Sequence, residues 1–299
     1  MGRINLEQLK TFLSVVRLGG VRRAAAGLSL TQPAVTARIK ALEESLAAEL
    51  FDRTSGGMKL TKRGELLLSY AEKFEHLSEM VARDVIHPDG VEGRLRLGVS
   101  ETIAQCWLPE MISRCHARFP NLEIELGVDI SANLRAGLLG HELDLAILLG
   151  PISDYTVDNV ALPGFDLAWY VSARAPVPED PAGYLDRPVL SYARNTRPYR
   201  ELKDLLFERV GPNVAIFPSS SLSACFRLVE ANLGVAALPR ALGRAYVEAG
   251  RIRAFDPGWA PSPLRFTASY RGEPTSNVTR IAAQIAREVA EQYHSDKKS

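Results

Sequence analysis

A short run near the N-terminus holds side chains able to read nucleic acid. Gln32 carries a donor and an acceptor that together match a base edge. The hydroxyls of Thr31 and Thr36 bond either partner, and Arg38, Lys40 and Arg53 complement phosphates. Pro33 stands among them, in a first helical turn where a missing N–H costs little. A second set could hold a small molecule. Ser100, Thr102, Ser131 and Ser219 are hydroxyl residues placed just after strand-like runs, with Asn133 beside Ser131. Ligands of α/β units bind there, and exposed N–H groups at helix starts favour an anion. Helix capping would equally account for each hydroxyl. Arg197 and Tyr199, in the run Arg194–Arg200, would add a donor fork for a carboxylate.

Catalytic readings are weaker. Gly98-Val99-Ser100-Glu101-Thr102 begins like a nucleophile elbow, but Thr102 replaces the closing glycine, and His294 in the tail is a poor partner. There is no Walker loop, dinucleotide fingerprint or metal spacing, so no catalysis, cofactor or metal is expected. Cys106, Cys115 and Cys225 form no CxxC and read as buried reduced thiols.

The elements that position the first set run from Ala24 to Arg53. They read as two short helices joined by a tight turn, then a β-wing. Thr31 caps the second helix. Ala34, Val35, Ile39, Leu42 and Leu46 recur at steps of three to four and share one face. Ala24, Ala25 and Leu28 form a small-residue face that permits close helix crossing. Plain core packing leaves the same periodicity, but the arrangement is also that of a helix-turn-helix, whose second helix enters the major groove. Leu6, Leu9, Phe12, Val15 and Val16 make a preceding helix that Gly19-Gly20 ends. Two short runs flanking Thr54-Ser55-Gly56-Gly57 read as a hairpin wing. Arg53 would reach a narrow minor groove from it, or bind a phosphate or Asp52.

Thr61 caps a long helix from about Lys62 to Ile86. Along it Leu67, Tyr70, Phe74, Leu77 and Val81 alternate steps of three and four. Few elements remain to bury this stripe, so a second copy of the chain is the expected partner. His87-Pro88-Asp89-Gly90 stops the helix. From Arg94 strands and helices alternate, which implies parallel sheets. Strands are expected near 95–99, 122–126, 143–149, 167–171, 189–192, 214–217, 235–238 and 264–270. Helices are expected near 100–119, 131–139, 199–209, 221–232, 239–249 and 277–293, before a frayed tail from His294.

Charge divides the chain the same way. Residues 1–63 hold eleven Lys/Arg against five Asp/Glu, a net +6, and the remainder holds 25 against 30, a net −5. A basic first unit beside an acidic larger one fits DNA binding by the first. No apolar run approaches the roughly 20 residues that span a bilayer, and no leader is visible, so a soluble cytoplasmic protein is expected.

Ala25, Leu28, Thr31-Gln32-Pro33-Ala34-Val35-Thr36, Ile39, Leu42-Glu43, Leu50-Phe51 and Arg53 resemble the N-terminal signature of LysR-type transcriptional regulators. Gly93-Arg94-Leu95-Arg96-Leu97-Gly98, Phe119-Pro120, Glu142-Leu143-Asp144-Leu145-Ala146-Ile147 and Gly234-Val235-Ala236-Ala237-Leu238-Pro239 resemble that family's effector domain, itself similar to periplasmic solute-binding proteins. The resemblance implies a multi-domain fold. A winged helix-turn-helix spans 1–61, a dimerisation helix 62–87 and an α/β effector domain 88–299. The last has two Rossmann-like subdomains, 91–161 with 269–299, and 162–268. It also implies promoter DNA and a small-molecule effector as partners, hydroxyls at Ser100, Thr102 and Ser131 facing the effector cleft, a homodimer or homotetramer, and contact with RNA polymerase. A solute-binding module without promoter recognition is the alternative. Two residues depart from the pattern. Ala47 replaces a glycine after the recognition helix, and Ala37 replaces an Arg or Gln that touches DNA.

Overall fold

The structure, a computed structural model, describes residues 4–54, 57–81, 93–272 and 275–296, and the chain divides into two units, Met1–Pro88 and Asp89–Ser299. In the first unit, α1 (Leu6–Arg17) starts at a reciprocal cap: the Asn5 side chain accepts from Glu7 N and that of Gln8 from Asn5 N. It buries Leu9, Phe12, Leu13 and Val15 and ends at Gly19, whose φ is 70°. Next, α2 (Val21–Gly27) presents Ala24 and Ala25 to the core, and a turn through Ser29 (φ 54°) leads to α3 (Gln32–Leu46). The Thr31 hydroxyl accepts from Ala34 N at 3.3 Å, and α3 buries Val35, Ile39 and Leu42. Strands β1 (Phe51–Thr54) and β2 (Gly57–Leu60) pair antiparallel. Thr61 then caps α4 (Lys62–Val81), accepting from Gly64 N at 3.0 Å. Gly64 is required there: a Cβ would lie 2.2 Å from the Leu50 carbonyl oxygen.

The helix α3 ends at Ala47 in the left-handed region, φ 48° and ψ 44°, so the strain is real and the site absorbs it. Arg63 Nη1 donates to the Ala47 carbonyl at 3.2 Å, supporting the helix end. Ala47→Gly is expected to stabilise this unit by about 1 kcal/mol, because glycine carries no Cβ penalty in that conformation. Urea unfolding of the full chain, followed on the transition of the N-terminal unit, checks it.

The second unit has two five-stranded sheets. The first runs β4 (Leu122–Val128), β3 (Gly93–Val99), β5 (Leu145–Leu149), β12 (Phe266–Arg271), β6 (Val157–Ala161). The second runs β11 (Ile252–Phe255), β7 (Leu167–Ser172), β10 (Val235–Pro239), β8 (Val189–Ser191), β9 (Ile216–Pro218). The helices are α5 (Glu101–Cys106), α6 (Leu108–Arg118), α7 (Ser131–Leu139), α8 (Arg197–Arg209), α9 (Leu222–Glu230), α10 (Arg240–Glu248) and α11 (Asn277–Asp296). Leu95, Leu97 and Val99 of β3 pack in the core with Ile103, Met111, Leu145 and Ile147. Asp144 ties the start of β5 to β3: its side chain accepts from Arg96 N at 2.8 Å and from Arg96 Nε and Nη2, both at 3.3 Å.

Several expectations need correction. The helix expected over 100–119 is two, because Pro109 cannot donate a helical N–H and its ring crowds the preceding turn; the break falls at Trp107 (φ −131°, ψ 3°). The sheets are mixed, not parallel: β12 lies antiparallel to both β5 and β6, and β7 to β10 and β11. The strand expected over 264–270 belongs to the first sheet and begins at Phe266, so that subdomain takes up residues 266–268. The edge strands β6 and β11 carry too weak a pattern to be read. Helix α8 begins at Arg197, two residues before the expected start, capped by Thr196, which accepts from Tyr199 N. Helix α11 continues through His294 to Asp296, where fraying was expected. The stop at 87–90 and the end of the linker helix beyond Val81 lie outside the described residues. No helix among those residues is long and apolar enough to cross a membrane.

Candidate functional site

The N-terminal half of α3 has two opposed faces. Val35, Ile39 and Leu42 are buried against α1 and α2. Gln32, Pro33, Thr36, Ala37 and Lys40 are exposed, with Thr31 at the cap, and their spacing puts them on one stripe. The helix start beneath this face is capped, the Thr31 hydroxyl accepting from Ala34 N. Thr36 Oγ1 donates to the Gln32 carbonyl at 3.0 Å. Glu43 on the same helix accepts from Leu50 N at 2.8 Å and Phe51 N at 3.4 Å, holding the entry to β1. Lys40 reaches Glu44 at 3.7 Å, a solvent-exposed pair that leaves the ammonium accessible.

Arg38 is placed elsewhere. Its Nη1 donates to Thr11 Oγ1 at 3.3 Å and lies 3.4 Å from Glu7 Oε2. It braces α3 against α1 and does not join the exposed stripe. Arg22 and Arg23 are exposed on α2, and only the pairing of helices identifies them as basic residues of the crossing helix. The side chain of Arg53 lies outside the described residues.

The expected stripe on α4 is reassigned at one end. Tyr70, Phe74, Leu77 and Val81 are 44–53% exposed. Leu67 instead packs into the core formed by α1, α3 and β1, while Leu66 is 61% exposed. The exposed row is therefore Leu66, Tyr70, Phe74, Leu77 and Val81. A period of three to four fits either neighbour at this end, and contact with the first unit's core decides it.

In the second unit a cavity of about 290 Å³ opens between the two sheets. Ser100, Glu101 and Thr102 line it from the end of β3, and Val128 to Ser131 from the end of β4. Tyr192, Thr196, Ser219, Ser220 and Leu222 line it from the second subdomain, with Leu264 and Phe266 at the crossover. Strand ends and helix starts thus converge, as the α/β rule requires. The hydroxyls of Ser100 and Ser131 make no capping bond to α5 or α7. Ser100 Oγ donates to the Ile147 carbonyl at 3.3 Å, and Ser131 Oγ accepts from Leu149 N at 3.0 Å. Both bonds pin β5 to the cavity wall. Thr102 is buried, 2% exposed. Ser219 Oγ donates to the Ser221 carbonyl and accepts from its N–H.

Three expected residues do not line the cavity. Asn133 is exposed and donates to Asp129 Oδ1 at 2.9 Å, a residue just before its helix. Arg197 is 3.5 Å from Glu201 on the outer surface of α8. Tyr199 is buried in the core. The charged lining residues are Glu101 and Asp129; no lysine, arginine or histidine lines the cavity among the described residues. Cys225 lies beneath, donating to the Ser191 carbonyl at 3.7 Å. Burial pushes the Cys225 and Cys115 thiols up to about 11, so both stay protonated at neutral pH and lack the nucleophilic thiolate. No cluster of three or more His, Cys, Asp or Glu among the described residues is placed to hold a metal ion.

Comparison with known proteins covers both units. A family described as the LysR substrate binding domain matches residues 88–291, and the bacterial regulatory helix-turn-helix protein, lysR family, matches residues 6–65. The HTH-type transcriptional regulator YofA of Bacillus subtilis is 33% identical over 232 residues, 78% of this chain and 80% of its own. Among solved structures, full-length CbnR complexed with its target DNA gives a TM-score of 0.68 at 20% identity, covering 96% of this chain and 100% of its own. LysG of Corynebacterium glutamicum with bound effector Arg gives 0.63 at 19% identity, covering 97% and 99%. At these structural identities the likeness is one of fold.

Proposed function

The chain belongs to the LysR family of transcriptional regulators, and from that premise we propose how its residues divide the work. It is a DNA-binding regulator whose larger unit takes a small-molecule effector, and it is not an enzyme. The exposed stripe on α3 enters the major groove. Gln32 reads a base edge, Thr31, Thr36 and Lys40 bind backbone or flanking bases, and Pro33 packs against sugar or base. Arg22 and Arg23 meet phosphates from the crossing helix, and Arg53 extends the contact through the wing. Ala37 makes only apolar contact there, for instance with a thymine methyl. The row from Leu66 to Val81 pairs two copies, so that two heads meet two half-sites. Effector domains would add a second contact to give a tetramer, and the assembly would contact RNA polymerase in the cytoplasm.

The effector occupies the cavity lined by Ser100, Thr102, Ser131 and Ser219. The walls favour a compact, largely apolar molecule whose polar end meets hydroxyls and helix N-termini; Arg197 plays no part. Regulation requires the effector to prefer one arrangement of the subdomains over another.

The observation that carries this reading is the stripe of exposed contact residues backed by the buried Val35, Ile39 and Leu42. Gln32→Ala is expected to lower the preference for the specific site by about 1–3 kcal/mol. Titration on a genomic site selected by the wild-type protein and on random DNA checks it. An equal loss on both would reduce Gln32 to a phosphate contact.

A further inference from the structure

The most connected side chain at the cavity is one that no binding motif singles out. Glu101 stands in the first turn of α5, on the first subdomain. Its carboxylate crosses to the second subdomain and sits on the N-terminus of α9. Oε2 accepts from Leu222 N at 2.6 Å. Oε1 accepts from Ser223 N at 3.0 Å and from Ser223 Oγ at 2.6 Å, with Ser221 Oγ at 3.4 Å. Gln105 Nε2, one turn further along α5, reinforces the bridge, donating both to Glu101 Oε1 at 2.9 Å and to Ser223 Oγ at 2.8 Å.

This is not ordinary capping. The local cap of α9 is already present, since Ser221 Oγ accepts from Ala224 N at 3.2 Å. Glu101 comes from a residue 121 positions away from Leu222. The donors it meets are neutral N–H and O–H groups, and the helix dipole supplies the positive end. Both Glu101 and Leu222 also line the cavity. A molecule entering the cavity therefore meets both ends of this bridge between the subdomains.

We propose that Glu101 is an internal clasp: its carboxylate occupies the α9 N-terminus, holds the two subdomains in one arrangement, and is displaced when an effector enters the cavity. The clasp rests on the regulator reading for its consequence at DNA, but its existence can be tested without it. Hydrogen exchange on the full-length protein follows the Leu222 and Ser223 amides. In Glu101→Ala these amides should exchange at least tenfold faster than in wild type, with Glu101→Gln, which keeps the shape and loses the charge, in between. The Glu101→Gln variant keeps the test open if Glu101→Ala does not fold. On a genomic site selected by the wild-type protein, the released variants should also show an altered footprint length or bend without any added small molecule. Unchanged exchange at both amides would overturn the clasp. Faster exchange with an unaltered footprint would leave Glu101 a structural tie and overturn its regulatory role. Failure of the wild-type protein to select any site would count against the regulator reading and the clasp's role at DNA, leaving the exchange result to decide whether the clasp exists.

Discussion

Phe74→Asp combined with Leu77→Asp is expected to convert the proposed dimer to a monomer and to lower operator affinity at least about a hundredfold. Both side chains stand on the exposed row of α4, 46% and 44% exposed. Burying a large apolar side chain contributes about 1.5–3 kcal/mol, and a two-fold interface uses each residue twice. Each is already about half buried in the single chain, so losing four such contributions removes about 3 kcal/mol or more, over a hundredfold in dimer dissociation. Carboxylates facing each other across the seam add repulsion and desolvation. A lone head then binds a lone half-site and forfeits the roughly hundredfold or greater gain of linked binding. Sedimentation measures the assembly, and titration on the same operator measures the affinity. Circular dichroism should be unchanged, because neither side chain belongs to the core of α1, α3 and β1. A mutant that remains dimeric would show that the row serves another contact.

Asp144→Ala is expected to destabilise the second unit by about 3–5 kcal/mol, the range for breaking a buried ion pair from one side. The Asp144 side chain is 5% exposed and that of Arg96 18%. The carboxylate accepts from three donors of Arg96, one of them a backbone N–H in the middle of β3. Removing it strips those donors of their acceptor in a place water reaches poorly. Asp144→Asn should cost less, since the amide oxygen still serves one donor. Urea unfolding of the full chain, read on the transition of the larger unit, measures both. Because β5 also presents the Leu149 N–H to Ser131, loosening its start should widen exchange at the cavity wall as well.

Much of the first unit was readable because its determinants are local. Thr31, Pro33, Gly19 and Thr61 act within a turn or two of themselves, through caps and backbone freedom. The buried positions of α3 follow a period set by the helix itself. The misread side chains of this unit have distant partners. Arg38 could be placed only once α1, with Thr11 and Glu7, was folded against it. Leu66 and Leu67 are adjacent and equally apolar, and the position of the core separates them.

The cavity divides along the same line. Ser100, Thr102, Ser131 and Ser219 were found because strand ends and helix starts are visible in the pattern, and ligand sites of α/β units gather there. Asn133 and Arg197 share that neighbourhood in sequence but turn to nearby partners, Asp129 just before α7 and Glu201 one turn along α8. Glu101 was passed over as part of a failed nucleophile motif. Its meaning rests on α9, brought to it by the second sheet.

By itself, then, the sequence determined the order of the units, the helix-turn-helix, the face of α3 turned outward and the gathering of hydroxyls at strand ends, since these depend on propensity, period and caps acting over a few residues. Tertiary structure alone decided the antiparallel entry of β12, the row that α4 leaves exposed, the withdrawal of Arg38 and Arg197, and the clasp of Glu101 on α9. Apart from Arg197, whose partner Glu201 lies one turn along its own helix, each of these depends on which distant group comes within about 3 Å, the range at which hydrogen bonds and packing act, and chain connectivity does not encode that distance.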